Sequence, residues 1–213
     1  MPASGFGMKW GTAVHMMMNV LGKAWTDGRA KGITPAIPDE TLKLLARNAL
    51  EASRLVAGEE EKLAALVRGI ISSGFWARAM AAETKYFEIP FAVRVGPGDP
   101  DYIELAGRAG LVAVAGAKPV ALVKNAPLFL SGAIDLAFLE SGGWVIADYK
   151  TDRLNDTAAG RGVERATSAL KELVNYYRPQ VTLYRRFWER ITGTPVKESG
   201  LYFTSIGRWV KLG

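Results

Sequence analysis

The sequence predicts an α/β fold, and three observations carry that prediction. Apolar residues recur at helical spacing through the first third of the chain. Two strand-forming runs flank a Glu-Ser-Gly-Gly turn at residues 132–152, and helical periodicity returns at 163–192 before two further strand-like runs. Helices on both sides of a set of strands make a layered α/β domain.

Taken in order, Trp10, Val14, Met17 and Met18 lie near helical spacing from Lys9 to Val20, with Gly22 as the expected stop. This helix carries the only histidine, His15. Residues 25–38 hold Gly28, Gly32, Pro35 and Pro38 and read as a loop. Asp39 is an expected N-cap for a helix through Leu42, Leu45, Ala49 and Leu55 that ends near Gly58. A second helix spans 59–71, with Leu63, Leu66, Val67 and Ile70 on one side, and a short one fits 72–82. Residues 25–82 together read as helical cover over a core at about 85–213, which the His15 helix completes in one domain.

Residues 85–95 alternate as a strand containing Glu88, and Gly96-Pro-Gly-Asp-Pro100 breaks it. Residues 102–124 hold apolar pieces between glycines that fit the strands of an inserted hairpin, in no defined order. After a polar loop at 151–162, a helix is expected at 163–177. Pro179 is placed in the first turn of a second helix that ends at Gly193. Gln180, Tyr184 and Phe187 then share a side. The tail from Val196 to Leu212 reads as two strands turning at Ser205-Ile206-Gly207.

The hairpin at 132–152 concentrates the chemistry. Period-two alternation sends Trp144, Ile146, Asp148 and Lys150 to one face and Val145, Ala147 and Tyr149 to the other. A loop through Ser141-Gly142 sets Asp135 opposite Asp148, whereas one through Gly142-Gly143 sets it opposite Lys150. Either register gathers two carboxylates and an ammonium on one surface. Opposed like charges destabilise a sheet unless a cation lies between them. A divalent metal meets that need, and Lys150 beside it completes a phosphodiester-cleaving site.

Composition narrows the classes. The chain has 213 residues, 49% of them hydrophobic, a net charge of +6 and no cysteine. Disulfides, thiolate zinc sites and cysteine-held iron–sulfur clusters are thereby excluded. No long apolar run suits a membrane span, and the first residues lack the pattern of a secretory signal, so the cytoplasm is the expected compartment and no membrane partner is expected. The basic balance favours a polyanionic partner. Arg153, Arg161, Arg165, Arg178, Arg185 and Arg186 are the expected phosphate contacts, with Tyr177 available for base stacking.

Five motifs occur in order: Gly11-Thr-Ala-Val-His15, Glu88-Ile-Pro-Phe91, Gly132-Ala-Ile-Asp135-Leu, Asp148-Tyr-Lys-Thr-Asp152, and Tyr177-Arg-Pro-Gln180-Val-Thr-Leu-Tyr184. This set resembles the RecB/AddA-type nuclease domain of the PD-(D/E)XK superfamily, and the C-terminal nuclease domain of AddA-type helicase–nuclease subunits in particular. The resemblance implies a restriction-endonuclease-like core, a central mixed sheet flanked by helices, with an added N-terminal helical region. It implies Mg²⁺-dependent DNA cleavage, exonucleolytic in kind, at broken ends before recombinational repair.

Carried over residue by residue, His15, Asp135, Asp148 and the backbone carbonyl of Tyr149 would bind metal. Asp135, Asp148 and Lys150 would be catalytic, together with Gln180 and Tyr184, which organise the site. Glu88 would stand behind the ligands or be plain surface. Mg²⁺ suits the oxygen donors, and the imidazole makes Mn²⁺ a good substitute. Single-stranded or frayed DNA is the implied substrate, and a helicase domain or an AddB-type subunit the implied partner. No Gly-x-x-x-x-Gly-Lys-Ser/Thr phosphate loop occurs, so no ATP site is expected in this chain. A free-standing exonuclease and a nuclease-dead DNA-end binder are the competing readings.

Overall fold

The computed structural model describes residues 5–30, 37–55, 58–99, 126–152, 154 and 161–213. They form two compact units, one of Met1–Ile89 with Ile134–Gly213 and one of Pro90–Ala133. The expected strands at 102–124 lie outside the described residues.

Four helices come first: α1 (Gly5–Ala30), α2 (Asp39–Ala52), α3 (Glu60–Ile71) and α4 (Gly74–Ala81). Strands β1 (Lys85–Val95), β2 (Leu128–Glu140) and β3 (Gly143–Lys150) follow, then the long helix α5 (Arg161–Thr192). Strand β4 (Val196–Phe203) and strand β5 (Arg208–Lys211), separated by one 3₁₀ turn at Thr204–Ile206, end the chain. The five-stranded sheet has the order β1-β2-β3-β4-β5. It is mixed: β2 with β3 and β4 with β5 are antiparallel, while β3 with β4 is parallel and is bridged by the α5 crossover.

Every residue of β3 except Lys150 is buried, as expected of a central strand covered on both faces. On one face, Val145, Ala147 and Tyr149 join Leu136, Phe138 and Tyr202 in a core with Met17, Leu42, Leu63 and Trp76 of the first four helices. On the other, Val181 of α5 packs on Leu201 and Phe203. At one end of the sheet Arg78 of α4 binds Glu140 of β2 and Glu198 of β4, with nitrogen–oxygen distances of 2.8–2.9 Å.

Three expectations are corrected. Helix α1 does not stop at Gly22 but runs on to Ala30, across part of the expected loop. Gly22 serves close packing instead, since a Cβ there would run into the ring of Phe87. Asp39 is the first helical residue rather than the cap, which is Pro38. The Asp39 carboxylate pairs with Arg68 of α3, and the helix ends at Ala52, short of Gly58.

The third correction concerns Pro179, which lies inside one continuous helix rather than opening a second. Proline removes one backbone hydrogen bond there. The carbonyl left without it belongs to Asn175, an exposed residue where water can serve it. Leu173, Val174, Tyr177 and Val181 pack into the same core on both sides of the proline, which holds the helix together through it.

Helices α3 and α4, strand β1, and the β4–β5 turn with Gly207 at φ 59° match the sequence reading closely. Gly193 follows α5 at φ 66°, the left-handed conformation of a terminating glycine. Among the described residues no helix is long and apolar enough to cross a membrane.

Candidate active site

The hairpin register decides between the two alternatives. Glu140 pairs with Gly143 and Leu136 with Ala147, so the loop is Ser141-Gly142, with Gly142 at φ 90°. One step further along, Asp135 comes opposite Asp148. Both are buried, at 5% and 2% exposure.

The charges are met from three directions. His15, on α1, sets Nδ1 3.1 Å from Asp135 Oδ1 and 3.4 Å from Glu88 Oε1. Its Nε2 lies 3.3 Å from the Tyr149 carbonyl oxygen. Asp135 Oδ2 accepts the Tyr149 backbone N–H at 2.6 Å. Gly11 lies where helix α1 approaches the end of β3: a Cβ there would sit 3.1 Å from Thr151 Oγ1, a tight contact. The Gly11-x-x-x-His15 spacing places the glycine against Thr151 at the end of the Asp148-Tyr-Lys-Thr151 run while the histidine, one turn on, reaches the Tyr149 carbonyl and the Asp135 carboxylate.

Lys150 Nζ sits 2.6 Å from Asp148 Oδ2 and donates to Gln180 Oε1 at 3.1 Å. Gln180 in turn donates from Nε2 to the Tyr184 hydroxyl at 2.7 Å, one helical turn along α5. The Lys150 ammonium also lies 4.0 Å from the centroid of the Tyr177 ring, and the Tyr177 hydroxyl donates to Asp152 Oδ1 at 3.3 Å. Thr204 fixes the Lys150 carbonyl with a 3.2 Å hydrogen bond.

Electrostatics follow from this crowding. Burial alone would lower the His15 pKa, but the Asp135 charge and hydrogen bond, then those of Glu88, outweigh it and push it up to about 10. Asp148 is pushed up to about 6 by burial and by Asp135, against the pull of Lys150 and His15. Burial, then the Asp148 charge, raises the Tyr184 hydroxyl, which stays neutral. The protonated imidazole balances the Asp135 and Glu88 carboxylates; a cation held by the same atoms would do so in its place.

Glu88 takes a backbone conformation unusual for any residue but glycine, with φ at 47° in mid-strand. Its carboxylate belongs to the same cluster: ligand atoms of His15, Glu88 and Asp135 all lie within 4.8 Å of one another. Asp148 stands outside that mutual group, turned instead to Lys150. Sequence reasoning left Glu88 undecided and gave Asp152 and Thr204 no role. For Asp152 a signal existed, since it closes the Asp148–Asp152 motif; Thr204 had none.

The expected DNA contacts divide. Arg153 lies outside the described residues, and the side chains of Arg161 and Arg165 are not described either. Arg178 is exposed and donates to the Leu212 carbonyl at 3.3 Å. Arg185 is 3.4 Å from Glu189 on its own helix, and Arg186 is exposed. Tyr177 is half-buried with its ring over Lys150, while its neighbour Tyr176 is 62% exposed.

The profile of the PD-(D/E)XK nuclease superfamily matches residues 4–208, nearly the whole chain. The chain belongs to that superfamily. Its α/β fold, a mixed sheet with helices on both faces and a helical N-terminal region, is the superfamily's own. An ATP-dependent helicase/nuclease subunit of Geobacillus thermodenitrificans is 30% identical to it over 192 residues, 90% of this chain and 13% of the relative. The helicase/nuclease subunit of the same name from Clostridium botulinum (strain Okra) is 35% identical over 43% of the chain, and that of Oceanobacillus iheyensis 37% over 38%. Each of those matches spans 6% of the relative. The chain is thus similar to a small part of much longer proteins.

PD-(D/E)XK nucleases typically use divalent metals, and the donor set here fits one. His15, Glu88 and Asp135 offer an imidazole nitrogen and carboxylate oxygens close together, with the Tyr149 carbonyl oxygen against the same imidazole. Oxygen donors suit a hard cation, and a single nitrogen is compatible with Mn²⁺ as well as Mg²⁺.

Proposed function

We propose that this chain is a Mg²⁺-dependent DNA nuclease domain that hydrolyses phosphodiester bonds, acting as an exonuclease in the processing of double-strand breaks. The observation that carries this reading is the contact chain His15–Asp135–Tyr149 beside Asp148–Lys150–Gln180–Tyr184, in which the buried Asp135 and Asp148 carboxylates meet a partly buried imidazole and ammonium.

His15, Asp135, Asp148 and the Tyr149 carbonyl are the proposed metal ligands, and the position of Glu88 adds it to them. When bound there, a divalent cation would neutralise charge on the phosphate and lower the pKa of an attacking water. Lys150 orients that water and stabilises negative charge developing on the phosphate oxygens. Gln180 fixes the reach of Lys150, and Tyr184 fixes the amide of Gln180. Arg178, Arg185 and Arg186 bind phosphates without reading sequence. The substrate is single-stranded or frayed DNA, brought by a helicase domain or a partner of the AddA/AddB type. A nuclease-dead end binder is the less suitable reading, because Asp135, Asp148 and Lys150 are all present, with Asp148 and Lys150 in contact.

End-labelled single-stranded DNA digested with Mg²⁺, Mn²⁺ and Ca²⁺ in parallel tests this. Cleavage is expected with the first two, stops with chelator, and is abolished by Asp148→Ala while DNA binding persists. Equal cleavage by the variant and the wild type removes the site assignment.

A further inference from the structure

The Lys150 side chain has a four-carbon stem that costs entropy to hold in one place. Its ammonium is nonetheless contacted on three sides. Asp148 Oδ2 is at 2.6 Å, Gln180 Oε1 at 3.1 Å, and the Tyr177 ring lies with its centroid 4.0 Å away. The first is an ion pair and the second a hydrogen bond. The third is different in kind, since an aromatic face attracts a cation through its quadrupole and offers no lone pair in competition.

The ring is itself fixed. Its hydroxyl donates to Asp152 Oδ1 at 3.3 Å, and its edge meets Tyr176 with centroids 4.9 Å apart and planes at 81°. Burial, followed by Asp152, raises the Tyr177 hydroxyl well above the ordinary phenol range, so it remains a neutral donor. The body of the ring packs with Leu173, Val174 and Val181 against β4. Asp152 lies two residues beyond Lys150, so the strand end that carries the lysine also anchors the ring covering it.

We propose that Tyr177 is a positioning residue: its ring face, held by Asp152, keeps the Lys150 ammonium beside Asp148 and Gln180. Its catalytic consequence rests on the nuclease reading above, whereas the contact itself does not. Base stacking, expected for Tyr177 from sequence, is a different role and makes a different forecast.

The test uses the full chain and two variants, Tyr177→Phe and Tyr177→Leu. Phenylalanine keeps the ring face and loses only the bond to Asp152; leucine keeps bulk and loses the face. With lysine labelled at Cε, the Lys150 methylene signal is assigned by its loss in Lys150→Arg. It is expected to be shifted upfield by the ring current in wild type and Tyr177→Phe, and to return to the ordinary lysine position in Tyr177→Leu. In turnover with Mn²⁺, Tyr177→Leu lowers kcat by about 3- to 30-fold at unchanged KM, the loss of one desolvated cation–ring contact, and Tyr177→Phe recovers most of it.

An unshifted Lys150 signal in wild type overturns the proposal. So does a Tyr177→Leu variant whose KM rises at constant kcat, which is the mark of a base-stacking ring. Should wild type cleave no DNA at all, the nuclease reading fails while the labelled-lysine measurement still decides the contact.

Discussion

Asp135 binds Tyr149 across the hairpin, its Oδ2 accepting the Tyr149 backbone N–H at 2.6 Å. The same carboxylate turns its Oδ1 to His15 at 3.1 Å. One side chain therefore closes the sheet ladder at this point and faces the candidate cation site, and the two duties can be separated.

Asp135→Ala strands a buried N–H and is expected to cost about 1–3 kcal/mol of stability. Asp135→Asn retains an acceptor oxygen for Tyr149 but no charge for a cation, so it should stay near wild-type stability while losing cleavage. Urea denaturation and DNA cleavage measured on both variants check this. Equal stability of the two would show that the Tyr149 bond contributes nothing.

The basic face of α5 is tested by salt. Replacing Arg185 and Arg186 together with alanine should weaken binding to single-stranded DNA and reduce the slope of log affinity against log salt by about 1–1.5, near 0.7 per lost phosphate contact. Fluorescence anisotropy over a range of salt concentrations measures it. An unaltered slope means that these guanidinium groups make no contact with phosphate.

Acid should loosen the clamp at the other end of the sheet. Glu140 is held down to about 2, against an ordinary 4.5, chiefly by hydrogen bonds from Arg78 and against the effect of burial, with Lys197 adding to the depression. Glu198 is lowered as well, again through Arg78 first. A carboxylate depressed in the folded state contributes stability that is complete above its ordinary value and is lost as pH falls through its folded value. Glu140→Gln should therefore be less stable than wild type at neutral pH, by about 1–2 kcal/mol after allowance for solvent screening. The two should converge as pH drops from about 4.5 to about 2. Parallel curves over that interval would show that Arg78 does not stabilise the folded chain through Glu140.

Much of this was legible in the residues. The hairpin could be read because alternation and a Gly-Gly turn are local signals, and Asp148 with Lys150 had to share a face whatever the register. The choice between registers was not legible, since either Ser141-Gly142 or Gly142-Gly143 could turn the chain; the observed loop leaves Gly143 inside β3. Gly22 and Pro179 misled for one reason. A glycine that ends a helix and one that admits the ring of Phe87 look alike in sequence, and so do a proline that starts a helix and one that packing on both sides carries through it. Tyr177 could be seen to be near the site but not which neighbour its ring would meet, because Lys150 arrives from a strand 27 positions away in the chain.

The backbone at Glu88, with φ at 47°, has a consequence for durability. Holding a side-chain-bearing residue in that left-handed conformation costs about 1–3 kcal/mol, a cost from which glycine is exempt. At this one place in β1 the usual ranking should invert, and Glu88→Gly should melt at a higher temperature than Glu88→Ala although both lack the carboxylate. Selection for heat resistance alone would favour glycine there, so a protein that retains glutamate forgoes robustness to keep an acid group facing His15.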